Sequence, residues 1–244
     1  MSFRDVGIGG GIFRAGYETP QSPGPGLPGY RPVTGVIQER EMKRLFLSSS
    51  FADVADVFKD WVGEPVGGKT ITFIPTASIP EKVTFYVEAG RKALEKLGFV
   101  VDELDISTAT DEEIGRTLRK NEYIYVSGGN TFFLLQELRR SGADKLILEQ
   151  IAAGKCYIGE SAGSIIVSPN IEYVKDMDDH ADAPALRGFD ALRAVDFYPL
   201  PHYTNFPFKK AVEKIIAKYG QRIPLYPISN AQVIFVNGDT IVIR

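Results

Sequence analysis

From Lys43 onward, short apolar runs alternate with amphipathic stretches, and this alternation narrows the possible folds more than any other feature. Strands are predicted at 45–47, 70–74, 100–104, 123–126, 156–158, 195–200 and 225–228. Helices are predicted between them at 51–62, 83–97, 111–120, 131–140, 143–153 and 208–219. Val54, Val57 and Phe58 share one face of the first helix, and Gly98 and Gly154 stop two of the others. Strands separated by helices of about 10 to 15 residues pair in parallel, because each helix carries the chain back along the sheet and covers one of its faces. The expected fold class is α/β, a mostly parallel sheet with helices on both faces. Residues 232–236 and 240–243 are predicted to add a C-terminal β-hairpin around Asn237-Gly238, a strong two-residue turn signal. Active sites of such sheets lie at the carboxyl ends of the strands.

Residues 1–41 read differently. Nine Gly and five Pro fall within them, including Pro23-Gly24-Pro25-Gly26, a density that sustains neither a helix nor a central strand. They are expected to form a disordered extension, leaving 42–244 as a single α/β domain. Met42 directly precedes the first strand, so a natural start there is expected, with the intact mass of the native protein as its test. Net charge of −3 gives no reason to expect nucleic acid or an anionic membrane as partner. No apolar run of about 18 residues predicts a membrane-spanning helix. The lone Cys156 sits in an apolar strand pattern and is read as a core residue in a reducing, cytoplasmic compartment. No Cys or His spacing predicts a metal site, and no cofactor is expected.

The candidate chemistry centres on 156–168. After the strand, Gly159-Glu160-Ser161-Ala162-Gly163 fits G-x-S-x-G, and an apolar run that can open a helix follows. Strand, sharp turn and helix are the context of a nucleophile elbow, which exposes a serine hydroxyl at the tip of the turn. The amide of Ala162 would then point at an oxyanion formed there. A Gly-rich strand-to-helix turn without chemistry is the plain alternative. Ser127-Gly128-Gly129-Asn130-Thr131 follows another strand. There the Gly129 amide can serve as a second oxyanion donor, and Asn130 can contact substrate or cap the helix behind it. The acidic run Asp176, Asp178, Asp179 and Asp182 around His180 matches no EF-hand spacing and reads as a solvated loop near the site mouth. His202, at a strand end in Pro201-His202-Tyr203-Thr204-Asn205, is the better placed of the two histidines to act as a base.

Together, Gly-Gly-Asn-Thr-Phe (128–132), Gly-Glu-Ser-Ala-Gly (159–163) and Pro-His-Tyr-Thr-Asn (201–205) resemble peptidase family S51, the dipeptidase E (aspartyl dipeptidase) and cyanophycinase group. The resemblance spans 43–244 in the family's order. It implies a class I glutamine amidotransferase-like, flavodoxin-like fold with Ser in place of Cys. Ser161 would be the nucleophile, His202 the base, and the amides of Gly129 and Ala162 the oxyanion hole. A short peptide would be the substrate, with N-terminal Asp preferred by dipeptidase E. Monomer and homodimer are both compatible with it.

One position departs from the family. Its third catalytic residue is an acid in the loop after the next strand, where this chain has Ile228-Ser229-Asn230-Ala231-Gln232, and no Asp or Glu lies between Glu213 and Asp239. Asn230 is therefore the expected partner of His202. An amide can orient a histidine but does not bring the charge that stabilises an imidazolium. Either Asn230 suffices, or a carboxylate such as Asp196 or Glu160 assists, or the chain is a weak hydrolase. The expected function is a serine dipeptidase. The alternatives are a weak or inactive relative that binds a small peptide or amino acid, and another serine hydrolase such as a cyanophycinase-type peptidase. A carboxylate-bearing substrate would need a cation nearby, and Arg187, Arg193, Lys209 and Lys210 lie in loops close in sequence.

Overall fold

The computed structural model describes residues 43–244; the extension expected at 1–41, with Met42, lies outside them. Five strands form the parallel part of a sheet: β1 (Arg44–Ser48), β2 (Thr70–Ile74), β3 (Val100–Glu103), β4 (Tyr123–Val126) and β5 (Cys156–Glu160). The hairpin β8 (Val233–Asn237) and β9 (Thr240–Ile243) adds two antiparallel strands on the β1 side, giving the order β3-β2-β4-β5-β1-β8-β9. The strand that leads into Ser161 is thus the central one of seven.

The strands alternate their side chains between two cores. Leu45, Leu47, Ile124, Val126 and Tyr157 face one; Phe46, Tyr123, Tyr125, Cys156 and Ile158 face the other. Helices α1 (Phe51–Val62) and α2 (Phe85–Leu97) cover the second face through Phe51, Val54, Phe58 and Leu94. The first face is covered by α3 (Asp111–Lys120), α4 (Thr131–Ser141), α5 (Ala143–Ala152), the short α6 (Ala162–Ile165) and α7 (Lys209–Tyr219). With both faces covered, β4 and β5 are buried along their whole length, which explains why they read as continuous apolar runs. Cys156 is buried in this core, and burial pushes its thiol up to about 12, so it is a packing residue. No helix among the described residues is long and apolar enough to cross a membrane.

The structure departs from the sequence reading in four places. Helix α2 begins at Phe85, not at 83, and Val83 is exposed, outside the helix's apolar face. The strand expected at 195–200 shrinks to β6 (Tyr198–Leu200), because the amides of Ala194 and Val195 donate to the Val167 carbonyl instead. It joins no strand of the main sheet and pairs in parallel with β7 (Leu225–Pro227) as a separate ribbon. The hairpin turn is shifted by one residue: Asn237 pairs with Thr240, so Gly238-Asp239 form the loop, with Gly238 at φ 58° in the first central position. Residues 170–193 are more than a solvated loop, since Ile171, Tyr173, Val174, Ala183 and Leu192 join the core.

Phe46 carries much of the second core. It is fully buried, with the rings of Phe51, Phe58, Trp61 and Phe235 within 5.2–5.9 Å of its own. Phe46→Ala is expected to lower unfolding free energy by about 3–5 kcal/mol, through lost burial and the cavity left behind. The shift in urea midpoint checks this.

Candidate active site

Close approach of three segments builds the site. Val126 of β4 pairs with Gly159 of β5, which places the loop after β4 beside the turn after β5. At that turn Ser161 has φ 48° and ψ −107°, a conformation rare for a residue with a Cβ and costing about 1–3 kcal/mol. The surroundings hold it there. Its amide donates to the Ser48 carbonyl at 2.9 Å, and the Ser164 hydroxyl donates to the Ser48 and Gly159 carbonyls at 2.8 and 2.9 Å. The glycines of the motif let the backbones meet: a Cβ on Gly163 would lie 2.0 Å from the Val126 carbonyl oxygen, and one on Gly159 would lie 2.5 Å from that of Gly163.

His202 and Asn230 arrive on the ribbon. Leu200 of β6 pairs with Pro227 of β7, so the loops that follow both strands emerge side by side. Nε2 of His202 lies 2.9 Å from Oγ of Ser161, and Nδ1 lies 3.0 Å from Oδ1 of Asn230. With the amide oxygen toward Nδ1, the ring carries its proton on Nδ1 and leaves Nε2 to accept from the serine. Burial pulls His202 below the usual histidine range, opposed by its bond to Asn230. The ring is therefore neutral near pH 7, as a general base must be.

Three residues that support this pair were not singled out by the sequence. Ser49 accepts from the His202 amide at 3.0 Å, and its hydroxyl lies 3.1 Å from the carbonyls of Ile228 and Ser229, joining the histidine and asparagine loops to the end of β1. Oδ1 of Asn205 accepts from the Asn230 amide at 2.9 Å. Phe208 stacks on the His202 ring with centroids 4.6 Å apart. Asn205 closes the Pro201–Asn205 motif and Ser49 lies in the polar run Ser48-Ser49-Ser50 at a strand end, but no pattern marked the part that either plays.

The other expected residues fall as follows. Gly129, at φ 133°, packs so closely on the loop after β2 that a Cβ would lie 2.1 Å from the Ala77 carbonyl oxygen. A Cβ on Gly128 would lie 3.2 Å from Cβ of Ser161, so the Gly128-Gly129 turn lies against the serine. Ala162 is the first residue of α6. Asn130 takes the capping alternative. Its Oδ1 accepts from the amides of Phe132 and Phe133 at 3.0 Å, and its Nδ2 donates to the Asp179 carbonyl and to Asp182. It is buried, with its amide committed to these four contacts. The acidic run is likewise engaged: Asp178 accepts from the amide and hydroxyl of Thr131, and Asp176 pairs with Lys214. Of the carboxylates considered as helpers, Asp196 is exposed and Glu160 points into the second core. Gln232 accepts from the Ser229 amide at 3.1 Å. Arg187 is exposed and donates to the Pro184 carbonyl, and Lys209 lies 4.0 Å from Glu213.

Ser161 thus sits on a strained strand-to-helix turn at the carboxyl end of the central strand, with the His202 ring facing its hydroxyl. The model of Peptidase family S51 matches residues 45–244, and the chain belongs to that family. Its S51 resemblance and its fold class are thereby established, and family membership makes it a peptidase. An uncharacterized peptidase of Listeria monocytogenes is 58% identical over 203 residues, covering 83% of this chain and 98% of its own. A peptidase E of a Nostoc species is 31% identical over 173 residues, covering 67% of this chain and 66% of its own. The crystal structure of a Listeria monocytogenes protein assigned as a candidate peptidase E superposes with a TM-score of 0.80 at 58% identity, covering 83% of this chain and 98% of that one. A peptidase structure from an acI-B1 Actinobacterium, 20% identical with a TM-score of 0.62, shares the fold over 84% of this chain and 88% of its own.

Gly163→Ala tests the close approach. It is expected to destabilise by at least about 2 kcal/mol, since the contact is with backbone that has no rotamer to yield. Chemical denaturation measures the loss, which is steric alone because Gly163 is not at a positive φ.

Proposed function

We propose that this chain is a serine peptidase that hydrolyses short peptides, acting as a dipeptidase, with Asp-Xaa peptides as the first substrates to try. The observation that carries the reading is the linear contact Ser161 Oγ–His202 Nε2–Nδ1–Asn230 Oδ1, at 2.9 and 3.0 Å. His202 takes the hydroxyl proton as Ser161 attacks the scissile carbonyl. The amides of Gly129 and Ala162 receive the tetrahedral oxyanion. His202 then protonates the leaving amine, and water resolves the acyl-enzyme by the same path in reverse. The dipeptide preference rests on the family and on relatives named peptidase E. The same proposal places the protein in the cytoplasm.

Asn230 favours a second reading, a weak relative. Exchanging a triad carboxylate for its amide can cost on the order of 10⁴ in turnover, largely when the amide selects the wrong tautomer. Here the amide oxygen faces Nδ1, so the tautomer is the productive one and only the charge is missing. The loss should be correspondingly smaller.

Hydrolysis of Asp-p-nitroanilide, beside other dipeptides and β-Asp-Arg, tests the assignment. Wild type is expected to turn over and Ser161→Ala to be silent. The acid limb of kcat/KM reports the base in the free enzyme. Because burial lowers His202, that limb should lie below pH 6.5, with full activity above it and loss as the imidazole protonates. In Asn230→Asp the new carboxylate favours the imidazolium, so the limb should move up in pH and kcat should rise about 10-fold or more. An unmoved limb would remove Asn230 from the relay.

A further inference from the structure

Glu160 immediately precedes the serine, yet its side chain leaves the site and enters the opposite core, where it is 3% exposed. Hydrogen-bond donors from two elements meet it there. Oε1 accepts from the amide of Phe51, the first residue of α1, at 2.8 Å. That helix has no side-chain cap of its own, because Ser50 makes no such bond. Oε2 accepts from the Tyr125 hydroxyl of β4 at 2.7 Å. The backbone amide of Gly128 faces the same carboxylate and favours its charged form. Gly90 of α2 makes room for the arrangement, since a Cβ there would lie 2.4 Å from the Tyr125 hydroxyl and 3.5 Å from Oε2 of Glu160.

These contacts bear directly on the Gly128-Gly129 turn. The Gly128 amide faces Glu160, and the Asn130 amide donates to the Ala77 carbonyl at 2.7 Å. The amide between them, that of Gly129, makes no hydrogen bond among the described residues. The backbone of Glu160 continues through Ser161 to the amide of Ala162. One residue therefore joins both halves of the oxyanion hole, one half through its side chain and the other through its main chain.

We propose that Glu160 is a positioning residue for catalysis, whose buried carboxylate fixes the separation and aim of the Gly129 and Ala162 amides. The proposal rests on the serine-peptidase reading above. Preorganised donors matter because they need not reorganise as charge develops, and loss of one donor costs about 10²–10³ in turnover. Glu160 touches no reacting atom, so its effect should appear in kcat and not in substrate binding. A carboxamide at 160 carries no charge and keeps only one accepting oxygen, so the Tyr125 hydroxyl must turn round to accept or lose its bond.

The test compares Glu160→Gln with wild type by turnover, by the second-order rate of labelling with a fluorophosphonate, which builds the same oxyanion on Ser161, and by thermal melting. The expected result is a fall of about 10–100-fold in both kcat and labelling rate, with KM within about 3-fold. Gly90→Ala is the second variant. It displaces the Tyr125–Glu160 pair from behind, while Ala favours the helix by about 1 kcal/mol, which supports folding. It should depress labelling in the same direction. If wild type labels at Ser161 and both folded variants label as fast as it does, Glu160 is merely structural and this inference is overturned while the serine reading stands. If wild type does not label, the serine reading falls and the inference with it.

Discussion

The Val126 carbonyl oxygen leaves no space for a side chain at residue 163, since a Cβ there would lie only 2.0 Å away. That approach of α6 to β4 sets the rest of the site. It forces the chain to reverse within a few residues of Gly159, which puts Ser161 into a backbone conformation that few residues other than glycine adopt. It also brings the serine against Gly128 of the turn after β4. Strain at one residue is tolerable because the surrounding hydrogen bonds, to Ser48 above all, over-determine its position.

The second constraint is electrostatic. His202 sits in a partly buried pocket between the Phe208 ring and the serine, with a neutral amide behind it. Burial disfavours the imidazolium, and no anionic partner at 230 offsets the penalty. In the proposed mechanism, this base is ready to accept a proton at neutral pH but stabilises its charged form less well than a carboxylate-backed histidine would. Glu160, the buried carboxylate next to the nucleophile, does not supply the missing charge to His202. Its oxygens are taken by Phe51 and Tyr125 on the far face of the sheet.

Most of the architecture was legible because both sequence periods are clean. Residues 51–62, 70–74, 111–120 and 123–126 form their elements at the expected bounds, since each pairs a strong apolar pattern with a capping or breaking residue such as Gly63 or Thr110. The apolar run at 195–200 does not distinguish a buried loop from a paired strand. Val195 and Phe197 are buried, but in a loop whose amides serve Val167. Ser161, His202 and Asn230 could be found from motif and chain order, and they do converge. Asn130 was legible only as two alternatives, because capping and ligand contact ask for the same residue type at a helix start. Ser49, Asn205 and the direction of Glu160 were not legible. Each acts on a partner between 25 and 153 residues away, and no local pattern encodes such a contact.

The central claim is that His202 activates Ser161 as a nucleophile. Mapping the adduct of a fluorophosphonate probe by mass spectrometry addresses it most directly, with wild type and His202→Ala compared at pH 7.5. A single adduct on the peptide containing Ser161, formed at least about 100-fold more slowly in His202→Ala, is the predicted result. No adduct on wild type, an adduct on another serine, or equal rates in the two proteins would contradict it.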